Sequence, residues 1–229
     1  MFDRTDHLRG ESAQVRIAVA FHSAYGHTAR QAEAVADGAR QVEGTTVELL
    51  AVNELNDSLW SSLDAADAIV FGAPTYMGSP SAGFKIFAEG TSAVLKDNLR
   101  WRDKVAAGFT NSSCMSGDKL NTLVDLAMLA AQHGMIWVGL AQSGGWSSTT
   151  GSVEDLNRLG SWLGAMAQSD SDVGPDIAPP ATDLRTASEL GRRVAVVTRA
   201  YRRGADLEQF AALQAVSASS DRSGAPSLA

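Results

Sequence analysis

Residues 68–74 read AIVFGAP, a run with almost no polar face. A strand of this kind points apolar side chains to both sides. It therefore belongs in a parallel sheet covered by helices above and below. VRIAVAF (15–21), TTVELLAV (45–52), KVAAGFT (104–110) and MIWVGLA (135–141) read as strands too. Between these runs the period changes. Ala29, Ala32, Val35, Ala36 and Ala39 recur on one helical face, and that helix should end near Gly44. NDSLWSSLDAAD carries a loop or short helix, and GFKIFAEGTSAVL (83–95) reads as helix despite Gly83 and Gly90. Leu120, Leu123, Val124, Ala127 and Ala131 mark another helix, closing at Gly134. Leu184, Ala187, Leu190, Val194, Val197 and Tyr201 mark a last one over roughly 184–202.

Five strands alternating with helices require parallel pairing through right-handed crossovers, which gives a three-layer α/β sandwich. The 229 residues suit one domain, expected over 1–204. An irregular excursion is expected at about 142–182, where GPDIAPPA is too rich in proline for regular structure. Residues 205–229 form an Ala/Ser-rich stretch that reads as a flexible tail.

Composition narrows the functional classes. Nineteen basic against 26 acidic side chains give a formal net charge of -7, which argues against broad contact with nucleic acid. Cys114 is alone, so neither an intrachain disulfide nor a cysteine-rich metal cluster is available, and no metal site is expected. The polar opening MFDRTDHLRGES lacks the apolar segment of a signal peptide. No run approaches the roughly 20 apolar residues of a membrane span. The expected location is the cytoplasm.

In an open parallel sheet, ligands sit beyond the carboxyl ends of the strands, near the switch in strand order. Three unusual loops share that address. HSAYGHT (22–28) offers the hydroxyls of Ser23 and Thr28, a Gly26 that permits close backbone approach, and the N–H-rich start of a helix. It is either a phosphate cradle without a lysine or a plain helix cap. It matches neither GxxxxGK[ST] nor GxGxxG. PTYMGSP (74–80) presents Pro74, Thr75, Tyr76, Met77 and Gly78 at the sheet edge, either to a planar heterocycle or as a turn with an aromatic plug. TNSSCMSGD (110–118) is crowded with small polar groups that suit a ring edge and a sugar chain, or an ordinary loop. A nucleophilic Cys114 would need a positioned base, and the sequence offers none.

SAYGHT, FGAPTYMGSPSAGFKIF, the TNSSCMSGD loop after KVAAGF, and LAAQHGMIWVGL together carry a resemblance. Over about residues 15–141 the chain resembles the flavodoxin-like FMN proteins, and among them the WrbA-type NAD(P)H:quinone oxidoreductases. DLRTASELGRRVAVV (183–197) looks like their closing helix. The resemblance implies a flavodoxin-like sheet of order 2-1-3-4-5 and noncovalent FMN. Ser23, Ala24, Tyr25, Gly26, His27 and Thr28 would wrap the phosphate. Pro74, Thr75, Tyr76, Met77 and Gly78 would sit against the isoalloxazine. Asn111, Ser112, Ser113, Cys114, Met115, Ser116 and Gly117 would enclose its pyrimidine side and the ribityl chain. His133 would lie close to the flavin and serve catalysis; read from its neighbours alone, it is a cap on the preceding helix. The wording departs from the family where PTYMGS replaces PTRFGN and SSCMSG replaces a TGTGGG-like run.

The activity this implies is hydride transfer from NAD(P)H to flavin N5, followed by reduction of a quinone or similar small acceptor. A flavodoxin-type electron carrier, or an FMN-binding protein without quinone reductase activity, is the alternative. Family members are often tetramers, so a homo-oligomer is expected. Tyr25 would stack on the nicotinamide nucleotide or cover the phosphate loop, and Trp146 would close the cavity or an interface.

Overall fold

A computed structural model describes residues 14–204. The 205–229 stretch read as a tail lies outside the described residues. In chain order the elements are β1 (Val15–Phe21), α1 (His27–Arg40), β2 (Thr45–Ala51), α2 (Asp57–Ala65), β3 (Ala68–Tyr76), β4 (Ser79–Pro80), α3 (Ala82–Gly90), α4 (Ser92–Lys96), β5 (Val105–Ser112), α5 (Lys119–Gln132), β6 (Ile136–Trp137), β7 (Ala165–Gln168) and α6 (Ala181–Gly204). The sheet runs β2-β1-β3-β5-β6 with these pairs parallel. Counting main strands, this is the order 2-1-3-4-5.

The alternation in β1 shows why both faces must be covered. Val15, Ile17 and Val19 enter a core with Ala32, Val35 and Ala36 of α1 and Leu190 and Val194 of α6. Ala18 and Ala20 enter the opposite core, with Leu63 of α2, Phe84 and Phe87 of α3, and Leu123 and Leu126 of α5. β3 divides in the same way, Ala68 and Val70 against Ile69, Phe71 and Ala73. Each buried Leu, Val or Phe side chain contributes about 1.5–3 kcal/mol.

Two expectations need correction. The fifth strand does not run over 135–141. Only Ile136 and Trp137 form ladder pairs, with Val105 and Ala106. After Val138 donates to Ala106 O, the chain leaves the sheet edge. It returns as β7, whose Ala165 to Gln168 pair with Phe109 to Ser112. The fifth position is thus built from two segments separated by an excursion. The return depends on Gly164, because a Cβ there would lie 2.1 Å from the Gly108 carbonyl oxygen. The buried face of α5 also differs. Leu120 and Val124 face outward, while Thr122, Leu123, Leu126, Leu129 and Ala130 face the sheet.

Candidate functional site

Four loops meet at the carboxyl edge of the sheet, after β1, β3, β5 and β7, around a cavity of about 590 Å³. That volume lies within the range of small-molecule and cofactor sites. The first loop is shaped by Ser23, whose Oγ accepts from the N–H groups of Gly26 and Ala29, each at 3.1 Å. The serine thus fixes the turn and keeps its own O–H proton to donate. Gly26, the residue before α1, has φ of 89°. A Cβ there would also lie 2.7 Å from Pro175 Cγ. The start of α1 faces the cavity with Ser23, His27 and Thr28 beside it. His27 Nε2 lies 3.0 Å from Val173 O, which fastens the loop after β7 across the opening.

Thr75 lines the cavity, but its hydroxyl is engaged beneath it, 2.8 Å from Thr110 Oγ1 and 2.7 Å from Thr122 Oγ1. The rim is aromatic. Tyr25 and Tyr76 meet edge to face with ring centroids 6.4 Å apart. Partial burial and then the neighbouring Tyr25 push the Tyr76 phenol upward, so it stays neutral at physiological pH. Asn111 Oδ1 accepts from Ser169 Oγ at 3.0 Å, which leaves the Asn111 amide donors to offer.

Behind this wall lies a polar network. Asp183 at the start of α6 accepts from Arg158 Nε at 2.7 Å, Arg158 Nη2 at 2.9 Å and Gln168 N at 2.9 Å. Both charged side chains are nearly inaccessible. Gln168 Nε2 donates to Ser113 O at 3.0 Å, tying β7 to the loop after β5. Bonding to Asp183 holds the Arg158 guanidinium still more firmly protonated than usual.

The flavodoxin family model matches residues 19–117, which takes in three of the four loops. Flavodoxin FldP from Pseudomonas aeruginosa is 44% identical over 178 residues, covering 77% of this chain and 93% of that protein. An Archaeoglobus fulgidus protein named NAD(P)H dehydrogenase (quinone) is 34% identical over 203 residues, covering 80% and 96%. The crystal structure of the flavodoxin, WrbA-like protein from Agrobacterium tumefaciens is 41% identical, with a TM-score of 0.63 over 81% of this chain and 98% of that one. The chain belongs to the flavodoxin-like FMN-binding family. Within that family it is related to NAD(P)H dehydrogenase (quinone) homologues.

For a flavodoxin-like protein, the cavity gathers much of what the sequence singled out. Ser23, Tyr25, His27, Thr28, Pro74, Thr75, Tyr76, Asn111, Ser112 and Ser113 line it. Ala24, Gly26, Gly78, Cys114 and Gly117 are not among the lining residues. Met77 points wholly into solvent. Met115 and Ser116 face a second groove that also holds Trp146 and Trp162, so Trp146 does not close the first cavity. Ser169, Ser171, Val173 and Gly174 complete the wall. They form a fourth loop that sequence reading passed over.

The structure places His133 away from this cavity. It caps the far end of α5, where Gly134 O accepts from Asp103 N at the other edge of the sheet. The length of β5 places that edge on the order of 20 Å from the cavity. Its ring is buried against Trp101, with centroids 5.0 Å apart. Thr91 Oγ1 donates to Ala88 O, so it accepts from His133 Nε2–H at 2.8 Å. That fixes the tautomer and leaves a buried Nδ1 without a partner. Burial lowers its pKa. The folded state therefore resists a proton that the unfolded chain takes up below about pH 6.5, and stability falls as pH drops through that value. The thermal midpoint should decline between pH 7 and 5, and more shallowly in His133→Gln. Parallel slopes would remove His133 as a cause.

Proposed function

We propose that this protein is an FMN-dependent oxidoreductase that takes hydride from NAD(P)H and reduces a quinone or similar small acceptor. The observation that carries the reading is the donor set of the cavity. One end has the start of α1 with the hydroxyls of Ser23 and Thr28, and no lysine or arginine is among the lining residues. Such an end suits a phosphate that is held and never transferred, because hydroxyls, backbone N–H groups and the helix dipole suffice to bind it. Toward the sheet, Asn111 and Ser113 offer the amide and hydroxyl that suit the edge of a heterocycle, with Ser112 beside them. Bound FMN would supply the hydride chemistry at N5, which no side chain of the site can provide.

The protein's own part is to bind and orient. Ser23 braces the turn that aims the start of α1. His27 holds the Val173 loop across the ligand and limits access of water. Tyr25 and Tyr76 leave an aromatic rim on which a second planar substrate can rest. No side chain in the cavity needs to act as an acid or base.

Titrating the purified chain with FMN should quench flavin fluorescence, and the complex should oxidise NADH or NADPH steadily in the presence of a quinone. FMN that keeps its full fluorescence would reject the reading. The 44% identity to a protein named a flavodoxin favours a second reading, that of an electron carrier. FMN binding without NAD(P)H oxidation would select it.

A further inference from the structure

α5 opens on Lys119, although the positive end of a helix dipole disfavours a cation there. The side chain does not escape to water. It is fully buried and folded under the loop after β5, where Nζ donates to Ser112 Oγ at 2.8 Å and to Cys114 O at 2.6 Å. The charged and titratable groups around it are Asp183 of α6, Arg158 of the excursion and Cys114 of its own loop. Asp183 is already held by both arms of Arg158. Among the described residues, no carboxylate lies within the 4.0 Å of an ion pair with Lys119. An ammonium has three donors, and two find acceptors in this loop. Burying a charge in this way is costly for the fold alone. What the lysine braces is cavity wall, since Ser112 and the adjoining Ser113 line the site.

We propose that Lys119 is a positioning residue for the cofactor: its ammonium clamps the loop after β5 in the shape that receives FMN, and it sets a positive charge behind a wall of hydroxyls and amides. The inference rests on the FMN reading above. A charge so placed favours whichever state of the ligand is more negative. Burial brings the Lys119 pKa down to about 8, with Asp183 and Cys114 opposing the fall and Arg158 adding to it. As pH rises past about 8 the lysine loses its charge, and its two bonds weaken from charge-assisted to neutral ones, so the clamp loosens. The apo fold moves the other way. The unfolded chain holds the proton up to about pH 10.4 while the folded chain loses it earlier, so folding is favoured as pH climbs through that window. Opposite slopes separate a site effect from unfolding.

The test is FMN affinity by fluorescence quenching from pH 6 to 10, on the full chain and on Lys119→Met and Cys114→Ser. In the parent, Kd should rise about tenfold across a step near pH 8. Lys119→Met should bind about tenfold more weakly at pH 7 and show no step, while its apo thermal midpoint equals or exceeds the parent's. Cys114→Ser should keep the step, which separates the lysine from the thiol. Bound FMN should have a lower reduction potential in Lys119→Met than in the parent. Equal affinity and an unchanged pH profile in Lys119→Met overturn the assignment while leaving FMN binding intact. A parent that binds no FMN overturns both. If Lys119→Met does not fold, the parent's step and its survival in Cys114→Ser decide the question, and a flat parent profile overturns the clamp.

Discussion

Asp183→Ala should cost about 3–5 kcal/mol of stability, the usual penalty for removing one partner of a buried ion pair. The carboxylate accepts three bonds, two from Arg158 and one from the Gln168 backbone. Alanine would leave a guanidinium in a place that water scarcely reaches. In a domain of this size each kcal/mol moves the thermal midpoint by roughly 2–4 °C, so a fall of roughly 10 °C is expected. The damage should also reach the cavity. Gln168 would lose the acceptor of its N–H while its side chain still holds Ser113, so the wall formed by β7 and the loop after β5 should loosen. FMN affinity should drop along with stability. Arg158→Met combined with Asp183→Leu removes both charges and should recover much of the lost midpoint. A double variant as unstable as the single would show that packing, and not the orphaned charge, sets the cost.

Gly26→Val should weaken FMN binding by roughly 10- to 100-fold. A β-branched residue at this positive φ stores on the order of 1–3 kcal/mol, and each 1.4 kcal/mol is about a factor of ten in affinity. The new side chain also meets Pro175, which belongs to the loop that His27 fastens over the site. The turn can then relax only by tilting the start of α1 or by lifting the 169–175 loop, and either movement spoils the cradle. Gly26→Asn separates the two causes, because asparagine tolerates the left-handed backbone but still meets Pro175. Pairing Gly26→Ala with Pro175→Gly relieves the contact, since both Cγ and Cβ are removed, and keeps the strain. Fluorescence titration measures the three variants against the parent, and parent-like affinity in Gly26→Val would mean that this turn does not hold the ligand.

What could be read from the sequence follows physical lines. Strands buried on both faces announce themselves, as AIVFGAP does, and a helix whose apolar stripe is as regular as Ala32, Val35, Ala36 and Ala39 leaves little choice. The loops after β1 and β3 were legible because each follows such a strand directly. The loop after β7 was not. Its strand, AMAQ, is four residues long and has no β-branched side chain, so nothing marks it as strand until β5 is there to pair with it. With β7 known, SDSDVG (169–174) falls at the same address as the other loops. α5 misled for a related reason. Leu120 and Val124 keep helical spacing on its outer face, while buried Thr122 and Lys119 carry the inner one. Burial of a lysine or a histidine depends on what packs over it, and this is information the local pattern does not hold. Lys119 gave no sign in the sequence, and nothing in the LAAQHGM wording shows that His133 is packed against Trp101.

The excursion in the fifth strand leaves and re-enters the sheet at neighbouring points, with Leu140 donating to Trp162 O at 3.0 Å across its neck. Topologically it is a detachable loop, since a short bridge from Gly139 to Leu163 would keep every strand pairing. Electrostatically it cannot be removed alone, because Arg158 sits inside it and is the counter-charge of Asp183 on α6. A shortened form of this protein must therefore replace Asp183 with an apolar residue in the same step. The length of this segment and the character of that one position can change only together.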